Sequence, residues 1–416
     1  MSGAMDVSRY LSKMWQLAKS DYLKLLPILG LAFYIAFIPH QNYPYPVHVD
    51  EWVQMAISKA MLKAGSVTPT NPFSGGGTLE LSSTMEAGFQ LFWGVFQSIS
   101  GISWFTIIRY FPGIIFIISV LSVYTLARRE GFGWEAAFFT CLLPTTIGIL
   151  GPAFLVPLAI GLLFIPLSLF VAFNFRTSFS YLVIFLFVCS LLLIHPPTAV
   201  ILAIILASYI LLNLKSDLKH SLGIGIAIAV PFLVPFPWIF GLLLPTVERA
   251  VSAQLFPEWV QIPTIIQSYG YLPIALSLLG TFVLAIRGGQ KNYGLLFGLL
   301  ALLAMLVIFF VFRFGIFILY ERGLMYMMLL LGIIAGAGLM AVRTVRLPTK
   351  LISWLKVPLL AKSIGVVLCL VIIGLTMAIS IPARQNIPYY HMIDEQDYEA
   401  FEWIKNNVGP EYMKAI

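Results

Sequence analysis

The residues with the clearest chemical potential form a short segment near the N-terminus, VHVDEW over residues 47–52. It holds two adjacent carboxyl groups, Asp50 and Glu51, just after His48. A carboxylate acts as a general base when burial shifts its pKa toward the working pH, so both are predicted catalytic residues. His48 is a predicted substrate-binding group that could contact a phosphate. Because successive residues point in different directions, we expect one carboxyl group to react and the other to support it.

Two further segments carry polar groups between apolar runs. His195 lies in the sequence IHPPT, where it could serve a site or simply end a helix. Arg313 and the run Tyr320, Glu321 and Arg322 precede another apolar segment. The planar fork of arginine suits a phosphate or carboxylate, although Glu321 and Arg322 could also pair locally. The predicted substrate-binding residues are therefore His48, His195, Arg313, Tyr320, Glu321 and Arg322, and no metal-ligating residues are assigned.

A structural interpretation of the first motif competes with the catalytic one. The residues after Trp52 repeat apolar side chains at the i, i+3, i+4 spacing of an amphipathic helix, which ends near Gly65. Asp50 would then be the N-cap of that helix, and Glu51 would interact favourably with its dipole. The sequence leaves both interpretations open.

Composition places almost the whole chain in a membrane. Of its 416 residues, 60% are hydrophobic and only 10% are charged, against about 25% in soluble domains. The formal charge of +7 is explained by basic cytoplasmic loops, so no nucleic-acid partner is expected. The three cysteines, Cys141, Cys189 and Cys369, lie in apolar runs and show no disulfide or metal pattern.

Hydrophobic length and charge bias predict a multi-pass helical bundle with about eleven transmembrane helices. With a cytoplasmic N-terminus, most Lys and Arg residues fall in inner segments and most acidic residues fall outside. The apolar stretch 86–103 is then an interfacial helix, with Phe89 and Trp93 at headgroup depth, because counting it as a span would invert every later loop. The predicted spans are 23–40, 105–127, 134–150, 154–173, 178–194, 197–214, 221–244, 265–287, 293–312, 323–342 and 363–381.

The order of these features resembles the GT-C superfamily of integral-membrane glycosyltransferases, which includes protein mannosyltransferases and oligosaccharyltransferase catalytic subunits. The resemblance rests on HVDE at 48–51 in a long first outer loop (about 41–104), RYFP at 109–112, LARR at 126–129 and DYEAFEWIKNN at 397–407. It implies a transmembrane domain over 1–382 and an extracytoplasmic tail over 383–416, the start of a soluble domain that is missing, truncated or supplied by a separate subunit.

The resemblance also implies a function on the extracytoplasmic face. A sugar would move from a polyprenyl-phosphate-linked (dolichyl-type) donor to a glycan, lipid or protein acceptor, with Asp50 activating the acceptor and Arg322 holding the carrier phosphate. A divalent metal is admitted as cofactor, because oligosaccharyltransferases bind one. The alternatives are oligosaccharyltransferase-type protein glycosylation, a lipid-linked glycan transporter or flippase, and a non-catalytic scaffold subunit.

Overall fold

Fourteen α-helices, one short 3₁₀-helix and no β-strand make up the described part of the chain. The computed structural model describes residues 21–73, 77, 85–145, 151–234, 269–312, 317–345, 358–386, 391 and 393–408, with the side chains of 310, 317–321 and 358–362 outside that description. The helices are α1 Asp21–Phe37, α2 Val49–Ala64, α3 Ala87–Ser100, α4 Trp104–Arg128, α5 Gly133–Thr140, α6 Pro157–Asn174, α7 Ser178–Ile194, α8 Pro196–Asn213, α9 Leu218–Leu233, α10 Tyr271–Arg287, α11 Gln290–Phe312, α12 Phe317–Arg343, α13 Pro358–Gln385 and α14 Glu395–Asn407.

Seven helices of the described residues are long and apolar enough to cross a bilayer, so the protein is an integral membrane protein. They are α1 with the 3₁₀-turn after it, α4, α6, α8, α11, α12 and α13, while α7, α9 and α10 are shorter apolar helices. The predicted count of eleven spans is not confirmed. Over the predicted span 134–150, α5 has only eight residues, about 12 Å of helix against a hydrocarbon core of about 30 Å.

Helix α12 lies at the centre of the bundle, in contact with α10, α5, α11, α8 and α13. Its apolar window is 72% buried, whereas that of α13 is 22% buried, so α13 lies at the edge. Small residues allow the close packing of α12: a Cβ on Gly280 of α10 would lie 2.0 Å from the Ile334 carbonyl oxygen. The central position of α12 brings its N-terminal residues next to the loops at one end of the bundle.

The loop between α1 and α4 folds into the two helices α2 and α3, which pack against each other. The predicted end of α2 is confirmed, since Gly65 adopts a left-handed conformation (φ 61°) and caps it. The headgroup depth expected of Phe89 and Trp93 stays a prediction, and their side chains face the protein rather than lipid. Both are buried against Met55 and Leu155, because that side of α3 faces the protein.

The tail after α13 folds back onto the first loop. The Tyr43 hydroxyl donates a hydrogen bond to the Ile393 carbonyl oxygen at 2.7 Å, and its ring stacks on His391 with centroids 4.1 Å apart. Tyr398 of α14 packs against Tyr45 and Phe105. The tail therefore lies at the same end of the bundle as the VHVDEW segment.

Candidate active site

Helix α2 begins at His48, whose own side chain is the N-cap. The His48 Nδ1 accepts the backbone N–H of Asp50 at 3.1 Å, and the Glu51 carboxylate accepts the backbone N–H of His48 at 3.2 Å. This is a reciprocal capping box, with histidine in the place usually taken by serine or threonine. An imidazole nitrogen that accepts a hydrogen bond carries no proton, and burial accordingly lowers the pKa of His48. His48 is therefore a neutral ring here.

The Glu51 side chain is buried, at 1% exposure, and ties α2 to a distant segment. Its Oε2 also accepts the N–H of Val47 at 2.8 Å, and its Oε1 accepts the N–H of Leu155 at 2.8 Å. Burial raises the pKa of Glu51 to about 7, against the lowering effect of these three N–H donors. All its described contacts are with backbone, so the geometry suits a residue that positions its neighbour.

Asp50 occupies the first turn of α2, and its side chain is 43% exposed. The structural interpretation that made Asp50 the N-cap is wrong, because the preceding histidine fills that place. The Asp50 Oδ1 lies 3.7 Å from the His48 Nδ1. The two adjacent carboxyl groups thus differ in environment: that of Asp50 is partly exposed, and that of Glu51 is buried on backbone amides.

A third carboxyl group, Glu86, lies just before α3 and was missed at the sequence level. Its Oε2 accepts a hydrogen bond from the Gln54 amide at 2.8 Å, and Gln54 in turn accepts one from Gln90 at 3.0 Å. Burial raises the pKa of Glu86 to about 7, while the Gln54 hydrogen bond and the Arg322 charge lower it. The available signal was its position as the only charged residue at the head of an apolar stretch.

His195 lies at the junction of α7 and α8, where the following proline keeps it out of the helical conformation. It is 2% exposed, and its Nε2 lies 3.8 Å from the Glu86 Oε1. Its Nδ1 is 2.5 Å from the Thr198 hydroxyl, which also bonds to the Tyr326 hydroxyl of α12. Burial lowers the pKa of His195 to about 3, so the ring is neutral.

Arg322 of α12 supplies the positive charge of this cluster. Its guanidinium lies close enough to lower, electrostatically, the pKa of His48, Glu86 and His195. The cluster combines residues of α2 and α12 with the residue before α3 and the junction of α7 and α8. Its first and last members are more than 270 residues apart in the sequence. The cluster of Asp50, Glu86, His195 and Arg322 lies at one end of a bundle that is otherwise largely apolar.

Three predicted site residues have no described side-chain position. Tyr320 and Glu321 belong to the first turn of α12, one turn or less before Arg322, and their side chains lie outside the description. Arg313 lies outside the described residues. The assignment of these three as substrate-binding residues stays a prediction.

A metal ion finds no ready set of ligands in the part of the chain that the structure describes. There, no three His, Cys, Asp or Glu side chains converge. The His48 Nδ1 already accepts a backbone N–H, and the neighbouring Arg322 charge opposes a second cation. These residues do not fit a divalent metal as cofactor, and no chemical step is derived through one.

No family model matches the sequence, and no curated protein matches it. The fold is similar to that of solved structures. One is the archaeal oligosaccharyltransferase AglB from Archaeoglobus fulgidus in complex with an inhibitory peptide and a dolichol-phosphate, with a TM-score of 0.60 and 15% sequence identity. The match covers 94% of this chain and 58% of that one.

Two other structures of the Archaeoglobus fulgidus oligosaccharyltransferase agree with this result. The apo form matches with a TM-score of 0.60 at 13% identity, and the complex with zinc and sulfate with 0.56 at 14%. Each covers 92% of this chain, which spans 58% and 55% of the two relatives. The all-α, GT-C-like membrane fold predicted from the sequence is thereby confirmed.

Proposed function

We propose that the protein is a GT-C-type glycosyltransferase that moves a sugar from a polyprenyl-phosphate carrier to an acceptor on the extracytoplasmic side of a membrane. The observation that carries the proposal is the cluster of Asp50, Glu86, His195 and Arg322 at one end of a bundle with this fold. Ionisable groups at membrane depth are costly and are usually functional. The bound dolichol-phosphate of AglB, the similar protein, fits the same carrier chemistry.

The positive-inside rule supports this side for the site. The cluster lies at the start of α4 and α12, whereas both helices end in arginine, at Arg128 and Arg343. Basic residues concentrate on the cytoplasmic side of membrane proteins. This charge bias supports the proposal of a cytoplasmic N-terminus, with the first loop and the C-terminal tail on the outer side.

Arg322 is the proposed contact for the carrier phosphate. In the transfer, an acceptor hydroxyl or amide attacks the anomeric carbon, and the bond from that carbon to the phosphate oxygen breaks. The carrier phosphate leaves with the electron pair, and its developing negative charge is stabilised by the guanidinium. Arg313, Tyr320 and Glu321, near the same end of α12, are proposed to complete the phosphate and acceptor contacts.

Asp50 is the proposed acceptor-activating residue, and Glu86 is a second candidate for that role. Asp50 is the more open of the two, at 43% exposure against 29% for Glu86. The acceptor proton passes to the carboxylate as the new glycosidic bond forms. Glu51 acts through Asp50 as a positioning residue, since its carboxylate holds the start of α2 on the Leu155 backbone.

The test is sugar transfer by purified protein in liposomes supplied with labelled polyprenyl-phosphate sugars. Asp50→Asn removes the charge at nearly constant shape and should abolish transfer without a change in melting temperature. Glu399→Gln is the matched control, because this exposed carboxyl group lies on α14 at the same end of the bundle and is not a member of the cluster. If neither the wild type nor the Glu399→Gln control transfers sugar, but the labelled carrier binds or crosses the bilayer, the flippase or scaffold function replaces the enzymatic one.

A second measurement addresses the carrier site. Arg322→Ala should weaken binding of a polyprenyl phosphate about ten- to hundredfold, the loss expected for a hydrogen bond between charged groups. Arg109→Ala is the control, since this arginine lies at the same end of the bundle but donates to the Gln41 carbonyl oxygen. Equal affinity of both variants for the carrier would remove Arg322 from the site.

Glu86 is tested by the pH dependence of transfer. If its carboxylate accepts a proton, the transfer rate should rise with pH through about 7, the pKa to which burial raises Glu86. The Glu86→Gln variant should not show this rise in rate. Stability should change in the opposite sense. A carboxyl group whose pKa is raised on folding stabilises the fold at low pH, and this contribution is lost as pH rises through about 7. An unchanged pH profile in Glu86→Gln would restrict the proton transfer to Asp50.

A further inference from the structure

A polar cavity lies at the opposite end of the bundle from the cluster. It has a volume of about 330 Å³ and lies where α4 ends, α6 ends and α11 begins, with Arg129, Asn174, Arg176, Lys291 and Asn292 among its lining residues. Helix α4 starts near Trp52 and runs for 25 residues, about 37 Å, before it reaches this end. The cavity is therefore separate from the proposed transferase site by the thickness of the membrane.

Two positive charges in the cavity converge on a single neutral group. The Arg129 Nη1 donates to the Asn174 Oδ1 at 3.2 Å, and the Lys291 Nζ donates to the same oxygen at 2.8 Å. The nearest described carboxylate, Glu130, is 3.8 Å from Lys291. Because Arg129 and Lys291 contact the same oxygen, their positive charges repel each other. An anion between the two side chains would therefore be bound favourably.

The third basic residue of the cavity has its own partner. The Arg176 Nε forms an ion pair with the Asp217 Oδ2 at 2.7 Å, which holds the guanidinium at the cavity wall. Its charge is thus largely compensated, whereas Arg129 and Lys291 share the Asn174 amide oxygen, and, among the described residues, Glu130 forms an ion pair with Lys291 alone. The cavity therefore keeps a positive balance.

The floor of the cavity contains an unused hydrogen-bond acceptor. Asn292 is 5% exposed, its Nδ2 donates to the Gly288 carbonyl oxygen at 2.7 Å, and its buried Oδ1 has no hydrogen-bond partner among the described residues. A buried acceptor without a donor costs about 1–3 kcal/mol. An anion such as inorganic phosphate can satisfy the two cations, whereas this oxygen needs a hydrogen-bond donor, which a ligand hydroxyl supplies.

The start of α11 adds donors on the same wall. Gly288 and Gly289 have φ angles of 66° and 92°, which only glycine adopts at low cost, and they turn the chain into α11 at Gln290. The first N–H groups of a helix have no partner within it and favour a negative charge. The residues of this turn, Gly288 to Asn292, line the cavity together with Arg129.

We propose that this cavity binds a phosphate ester that carries free hydroxyl groups, the chemistry of a phosphatidylglycerol headgroup. The phosphate lies between Arg129 and Lys291, and a hydroxyl donates to the Asn292 Oδ1. The volume equals that of about ten water molecules, which accommodates a glycerophosphate group but no acyl chain. The site does not depend on the proposed transferase activity.

The first test compares lipids on the wild-type protein in detergent micelles by native mass spectrometry. Phosphatidylglycerol should bind more tightly than phosphatidic acid, which lacks the headgroup hydroxyls, and both more tightly than phosphatidylcholine. Glycerol 1-phosphate added in solution should displace phosphatidylglycerol if the headgroup alone is recognised. Failure of glycerol 1-phosphate alone would show that the lipid is the source of the phosphate. Equal binding of all three lipids would overturn the proposal.

The second test uses variants that separate charge from hydroxyl recognition. Arg129→Gln with Lys291→Gln should weaken phosphatidylglycerol binding about thirtyfold, equivalent to about 1 kcal/mol for each basic residue. Lys215→Gln is the control, because this exposed lysine follows α8 at the same end but does not line the cavity. Asn292→Ala should keep phosphate binding and lose the preference over phosphatidic acid. A double variant that binds like the control would overturn the proposal.

Discussion

Substitution of the two adjacent carboxyl groups, Asp50 and Glu51, should have opposite effects on stability and on activity. Glu51→Ala removes the acceptor of three backbone N–H groups: those of Val47 and Leu155, which are buried, and that of His48, which is partly buried. Each buried donor left without a partner costs about 1–3 kcal/mol. With about 1 kcal/mol for the broken capping box, the two buried donors bring the loss in unfolding free energy to about 3–7 kcal/mol.

The stability lost on Glu51→Ala depends on pH. Burial raises the pKa of Glu51 to about 7, so at pH 6 the carboxyl group is mostly protonated, and its removal relieves little buried charge. For a chain of this length the loss corresponds to a fall of about 5 °C in melting temperature. Asp50→Ala, by contrast, removes a half-exposed group whose described contacts are confined to His48, and should change the melting temperature by less than about 1 °C.

The assay is thermal unfolding in liposomes at pH 6, followed by tryptophan fluorescence, together with sugar transfer per folded molecule. Glu51→Ala should melt early and retain partial turnover, whereas Asp50→Ala should melt like the wild type and lose turnover. The reverse pattern, in which Asp50→Ala melts early and Glu51→Ala does not, would refute the assignment of Glu51 as the residue that positions α2.

Two further predictions concern packing and buried charge. Gly161→Ala should lower both stability and transfer, because its Cβ would lie 2.2 Å from the Tyr326 hydroxyl oxygen. Gly30→Ala is the control: no neighbouring atom lies within 4 Å of its Cβ, so it should be neutral or stabilising. Equal melting temperatures of the two variants would contradict this prediction. Burial raises the pKa of Glu135 to about 7, so at pH 8 Arg343→Met should cost about 3–5 kcal/mol by leaving the buried, ionised Glu135 without its ion pair at 2.8 Å. Adding Glu135→Gln should recover most of that loss in the same unfolding assay, and a double variant no more stable than Arg343→Met would argue against the pair.

Hydrophobic length and charge distribution were sufficient to predict the membrane bundle and the helix after the VHVDEW segment. Both signals are local: about 20 apolar residues cover the bilayer, and an i, i+3, i+4 pattern selects one helix face. The count of eleven spans is not confirmed, and at α5 the described helix is shorter than the predicted span, because an apolar run does not reveal where a helix stops. The burial of Trp93 was also missed, since an apolar side chain suits lipid and protein interior equally.

The sequence likewise indicated that the two carboxyl groups of the motif would point in different directions, because neighbours on a helix point apart. Only the tertiary structure decided which one is buried, since the Leu155 amide that fixes Glu51 lies 104 positions away. Glu86, Thr198 and Tyr326 join the site through contacts between helices distant in sequence. Such pairings depend on how helices pack in three dimensions, and no spacing along the chain encodes them.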